Sequence, residues 1–264
     1  MQKRGDNLKR IYHILSFLLA SLFLVQVSYA SSISWYCNRN KNHDQPSIAK
    51  DLAFSEKYDL YWCDKRYKDD ANDKVIYLTF DAGYENGNVE KIVDILNEEN
   101  VKGAFFVLDN FLIKNQNLVK KMIENGHIIA NHTLKHKDMT SVKNKTEFKE
   151  ELESLECLYR TLYNEEMPKY YRPPEGKLNE QNLIWAKELG YKTIMWSFAY
   201  ADWDNGKQPS KEYAMKKIFD NLHNGEVMLL HPTSETNKDI MKDMIKELKN
   251  QGYRFGTLDE LCKE

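Results

Sequence analysis

From Val75 onward the chain alternates short β-branched and aromatic runs with segments of helical period, which restricts it to a parallel sheet covered by helices. The runs that read as strands are Val75–Phe80, Gly103–Leu108, His127–Asn131, Lys169–Tyr171, Lys192–Ser197, Glu226–Leu230 and Tyr253–Gly256. Between them, Val89, Ile92, Val93 and Leu96 share one helical face. So do Phe148, Leu152, Leu155, Tyr159 and Leu162 within Glu147–Tyr163, and Ile240, Met244 and Leu248 within Lys238–Lys249. Asn125-Gly126, Leu189-Gly190 and Asn224-Gly225 read as left-handed C-caps. The expected fold is α/β, its sheet closed or nearly closed into a distorted (β/α)7 barrel.

The amino terminus carries a different signal. Lys3, Arg4, Lys9 and Arg10 precede an apolar run from Ile11 to Val27, and Ser28-Tyr29-Ala30 sets small residues before Ser31. Residues 1–30 therefore read as a secretory signal peptide. The run approaches spanning length, so an uncleaved anchor, with membrane association through this segment, is the alternative. In both cases the body of the protein is exported. Residues 31–72 read as a leader segment packed on the barrel, with a short helix near Ala49–Lys57, and 73–264 as the main α/β domain.

Cys37 and Cys63 are a plausible pair in an oxidising compartment, whereas Cys157 falls in a helical pattern as a small buried residue. A net charge of -2 gives no basic surface for nucleic acid. The 16 tyrosines and five tryptophans suit stacking against sugar rings as well as an ordinary core. No heptad calls for an oligomer, and a monomer is expected.

Five motifs follow predicted strands on one end. Asp81 ends the first, before a glycine turn; alone it reads equally as a turn residue. His132 and His136, four apart, are read as projecting from one face of a helical turn toward one metal ion. Arg172 precedes Pro173-Pro174, a rigid turn that sets a cation beside a carboxylate. Asp202 lies among aromatics and can orient a histidine, and His231 ends an apolar strand. Each residue has a structural reading by itself. Together they make a metal site, a carboxylate base with its arginine, and a histidine acid with its aspartate, which is equipment for metal-assisted hydrolysis of an acyl group.

Taken in order, these motifs resemble those of the polysaccharide deacetylases of the NodB-homology family, over roughly Asp73 to Cys262. The resemblance is nearest to the spore-cortex branch, the delta-lactam-biosynthetic de-N-acetylases. It is carried by Thr79-Phe80-Asp81-Ala82-Gly83-Tyr84-Glu85-Asn86-Gly87, Asp202-Trp203 and Leu229-Leu230-His231. It implies a distorted barrel of about seven strands. Most of the family carries a second acid where this chain has Ala82, and that acid binds the metal. The resemblance therefore implies a site reduced to His132 and His136, completed by waters or Asp81; the spore-cortex branch lacks the same acid. Glu175 stands where many members carry an aromatic residue.

The implied reaction is N-deacetylation of N-acetylmuramic acid in the peptidoglycan glycan strand, on the route to muramic δ-lactam. A divalent ion, zinc by its imidazole ligands, would sit on His132 and His136. Asp81 would be the base held ionised by Arg172, and His231 the acid oriented by Asp202. A backbone N–H near Tyr171 would meet the oxyanion, and Trp203, Leu229 and Leu230 would shape the acetyl and sugar pocket. The alternatives are the same reaction on N-acetylglucosamine of peptidoglycan or chitin, and a non-catalytic cell-wall-binding protein.

Overall fold

The alternating runs assemble into one curled sheet. The structure, a computed structural model, describes residues 31–39, 42–68 and 72–263. The signal-peptide or anchor segment expected over 1–30 lies outside the described residues, and among these no helix is long and apolar enough to cross a membrane.

In chain order the strands of the main sheet are β1 (Leu60–Tyr61), β2 (Lys74–Ala82), β3 (Ala104–Val107), β4 (Ile128–Asn131), β5 (Tyr170–Tyr171), β6 (Lys192–Ile194), β7 (Glu226–Leu230) and β8 (Tyr253–Phe255). They pair in the order β7-β2-β3-β4-β5-β6-β1, with β8 against the start of β2, and every pairing is parallel. The ends of this path meet through isolated bridges. Phe198, beyond β6, bridges Met228 of β7, and Cys63, beyond β1, bridges Glu226. The result is the expected distorted barrel, closed by bridges and not by a continuous ladder.

The expectation differs from the structure in one strand. Leu60–Tyr61 belongs to the sheet although it lies in the leader; two residues are too few to show a period. The leader also carries the expected short helix, as a 3-10 helix over Lys50–Lys57. Its Trp35, Leu52 and Trp62 pack in one apolar cluster with Met195, and the thiols of Cys37 and Cys63 belong to the same cluster.

The two-residue period of the strands sorts the core into layers. Ile76, Leu78, Phe80 and Ala82 of β2 face outward, where they pack with Val89, Ile92, Val93 and Leu96 of the Val89–Glu98 helix and Ile240, Met244 and Leu248 of the Glu235–Asn250 helix. Val75 and Tyr77 face inward with Ala104, Phe106, Ala130, Tyr170, Ile194 and Val227. Burying these two faces is the main stabilising term, at about 25 cal/mol per Å² of apolar surface.

Two local expectations are corrected. In the Lys145–Tyr163 helix the buried stripe is Phe148, Leu152, Leu155 and Tyr159, so Cys157, two residues from Leu155 and Tyr159, is turned to solvent. Gly126 and Gly190 follow helix ends with positive φ as expected, but Gly225 does not cap its helix, which stops at Asn221. It turns the chain into β7 at φ +75°, and a Cβ there would lie 2.3 Å from the Asp64 carbonyl oxygen. Its own carbonyl accepts the Asp64 N–H at 2.8 Å, so this glycine allows the seam between leader and barrel to close.

Candidate active site

The inward register of four strands, extended past their ends, delivers the site. Counting in twos from Tyr77 reaches Thr79 and Asp81; from Ala130, His132; from Tyr170, Arg172; and from Val227, Leu229 and His231. The candidate residues therefore converge because they continue the inner face of the barrel at its carboxyl end.

Arg172 is the hub. Its side chain is fully buried, and it donates from Nη1 to Asp81 Oδ1 at 2.8 Å and from Nη2 to Thr79 Oγ1 at 2.8 Å. Nε donates to the Ile194 carbonyl at 3.0 Å, and the guanidinium lies 4.2 Å from the centroid of Phe106. Burial works to raise the pKa of Asp81, but the charge of Arg172, those of His132 and His231 when protonated, and the Arg172 hydrogen bond outweigh it. The carboxyl is held below its ordinary range.

The second pair is His231 with Asp202. His231 Nδ1 lies 2.7 Å from Asp202 Oδ1, and the His231 backbone N–H donates to Oδ2 at 2.8 Å. Burial works to lower the His231 pKa, but the hydrogen bond and charge of Asp202, with the charge of Asp81, raise it above the ordinary histidine value. Asp202 only accepts, so Nδ1 carries a hydrogen, and the second proton of the imidazolium sits on Nε2, the nitrogen free to give it up. The Trp203 ring is 61% exposed and lies 6.1 Å from the His231 ring, on the rim.

His132 and His136 come together, but not on a helical turn. The segment after β4 is irregular, with Thr133 at φ 70° and His136 at φ 59°, and the two rings meet edge to face at 5.0 Å. His132 Nδ1 lies 2.8 Å from the Arg172 carbonyl, which only accepts, so Nδ1 carries the hydrogen and Nε2 keeps its lone pair. Burial, with the charges of His136 and Arg172, pulls His132 down to about 4 against the opposing charge of Asp81, and the ring is neutral. Its Nε2 faces Asp81 Oδ2 at 3.6 Å. Two lone-pair donors facing one another beside a second imidazole fit a divalent cation. Ala82 is sealed in the outer core layer and offers no ligand, and among the described residues no three His, Cys, Asp or Glu side chains form a ligand shell. The two imidazoles would hold the ion, with solvent completing its coordination.

Two expected substrate contacts are not supplied. Leu230 faces outward into the helix layer, one residue out of register with Leu229 and His231, so it cannot line a pocket inside the barrel. Tyr171 is flanked on both edges by Asn131 and Thr193, which places its N–H within the ladder, and its ring packs outward with Phe148, Leu152 and Tyr191. Leu229 is buried on the inward register beside the site. Two further residues join the site: Thr79, which the sequence marks only as part of the Thr79–Gly87 run, and Asn237, which no motif marks. Thr79 was accessible by counting two back from Asp81, and Asn237 as the third residue after a Ser234 cap.

A barrel mouth that sets a carboxylate–guanidinium pair against an imidazole–carboxylate pair defines a hydrolase working by acid–base chemistry. More particularly, the chain belongs to the polysaccharide deacetylase family, whose model matches residues 68–194, and it is a hydrolase that removes acetyl groups from sugar amides. The peptidoglycan-N-acetylmuramic acid deacetylase PdaA of Bacillus subtilis is 38% identical over 233 residues, covering 88% of this chain and 86% of that protein. The structure of PdaA, a family 4 carbohydrate esterase, matches with a TM-score of 0.81 over 88% of this chain and 97% of that one. A family 4 carbohydrate esterase from Bacillus anthracis matches at 33% identity and a TM-score of 0.70, over 88% and 96% of the two chains. A peptidoglycan-N-acetylglucosamine deacetylase of Bacillus cereus is 33% identical, over 72% of this chain and 69% of that protein.

Proposed function

We propose that the protein removes the N-acetyl group from N-acetylmuramic acid units of peptidoglycan, outside the cytoplasm, on the route to muramic δ-lactam of the spore cortex. The observation that carries the chemistry is the opposition of Asp81, held by Arg172, to His231, held by Asp202. The substrate assignment is supported by the extent of the match to the muramic acid deacetylase, which spans more of this chain than the match to the glucosamine enzyme.

Asp81 takes a proton from the water whose oxygen attacks the acetamide carbonyl carbon. The tetrahedral adduct collapses as His231 Nε2–H protonates the sugar nitrogen, the C–N bond breaks, and acetate and the free amine leave. Arg172 keeps Asp81 ionised before the attack, and Asp202 stabilises the His231 imidazolium until its proton is given up. Trp203 and Leu229 line the sugar and acetyl positions. His132 and His136 would hold a divalent ion, zinc by its nitrogen ligands, which when bound would supply Lewis acidity toward the carbonyl and a more acidic water.

Chelation is expected to suppress acetate release from stem-free glycan strands, and added zinc to restore it. In His132→Ala the restoration should fail. Full activity in the presence of the chelator would remove the ion from this reading.

A further inference from the structure

The Asp202–His231 pair is held by a residue that touches neither the reacting atoms nor the rim. Asn237 is fully buried, and its Nδ2 donates to Asp202 Oδ2 at 2.6 Å and lies 3.1 Å from the His231 carbonyl oxygen. Its Oδ1 accepts from the Tyr200 hydroxyl. The amide has one allowed orientation, since a flip would set its oxygen against a carboxylate and a carbonyl, neither of which can donate. The backbone of Asn237 is fixed as well. Ser234 caps the Glu235–Asn250 helix by accepting the Asn237 N–H at 3.1 Å, and Ser234 Oγ donates to Gln208 Oε1 at 2.5 Å. Gln208 Nε2 in turn donates to the Asp202 carbonyl at 3.0 Å. The first turn of this helix and the Asp202 loop are thus laced into one rigid unit.

Asp202 is buried and accepts three donors, from His231 Nδ1, the His231 N–H and Asn237. Among the described residues only Asn237 donates to this carboxylate independently of His231, and it sets the carboxylate plane from outside the pair. We propose that Asn237, backed by Tyr200, is a positioning residue that orients Asp202 so that it holds the Nδ1–H of the His231 imidazolium and leaves the transferable Nε2–H toward the substrate amine. This rests on His231 being the general acid.

The groups facing His231 are Asp202, Asp81, Arg172 and the Trp203 ring. In Asn237→Leu these groups remain, while the bonds to Asp202 Oδ2, the His231 carbonyl and the Tyr200 hydroxyl are lost. The test is the His231 titration followed by NMR in the full chain, with kcat and KM for acetate release beside it. In Asn237→Leu the His231 midpoint is expected to fall by about one pH unit, and kcat by about 30-fold with KM little changed. A midpoint that stays or rises overturns the proposal, whatever kcat does. If that variant does not fold, Tyr200→Phe serves in its place: a smaller fall in the same direction supports the proposal, and no change overturns it. A wild-type protein that releases no acetate would defeat the deacetylase reading, while the titration would still decide this one.

Discussion

Replacing Asp81 by Asn is expected to lower turnover by about 10²- to 10⁴-fold while leaving the fold intact, because general-base catalysis contributes on that scale. Asparagine has the same shape and its oxygen can still accept the Arg172 Nη1 bond, so the hub of the barrel mouth keeps its packing. What is lost is the ability to take a proton, together with the counter-charge of the buried Arg172, so a lower melting temperature is expected alongside the retained fold. Acetate release by the variant, with circular dichroism and melting temperature alongside, is the check. Wild-type turnover in Asp81→Asn would remove Asp81 as the base.

Arg172→Met is expected to change both stability and pH dependence. The guanidinium is fully buried, and removing it leaves Asp81 without its counter-charge, the Ile194 carbonyl without a donor and the Phe106 ring without its cation. Breaking a buried pair of this kind costs about 3–5 kcal/mol, which urea denaturation would register. The pH effect has a defined sign. Arg172 holds Asp81 below its ordinary range, so without it the carboxyl pKa rises. The base must be ionised to act, and the acid limb of the rate profile therefore moves to higher pH. A limb that does not move would mean that Arg172 only braces the barrel.

Much of this arrangement is legible in the amino-acid sequence, and what is not has identifiable reasons. The strands around Asp81, His132, Arg172 and His231 announce themselves by β-branched and aromatic runs, and their common end follows from parallel pairing. The same alternation already separates Leu229 from Leu230, since residues at opposite parity face opposite sides. The helical reading of His132–His136 failed because spacing alone does not distinguish a turn of helix from a loop, and here Thr133 and His136 take positive φ. Leu60–Tyr61 is too short to show a pattern. Asn237 was hidden because the apolar period of its helix begins only at Ile240, several polar residues after the Ser234 cap. Its role comes from partners far away in the chain, Tyr200 and Asp202, which no local signal couples to it.

The most direct measurement is mass spectrometry of stem-free peptidoglycan fragments after incubation with the protein. Loss of one acetyl group from muramic acid units is the expected result. Loss confined to glucosamine units would move the protein to the other substrate class, and no loss from either sugar would contradict the catalytic reading of the Asp81 and His231 pairs.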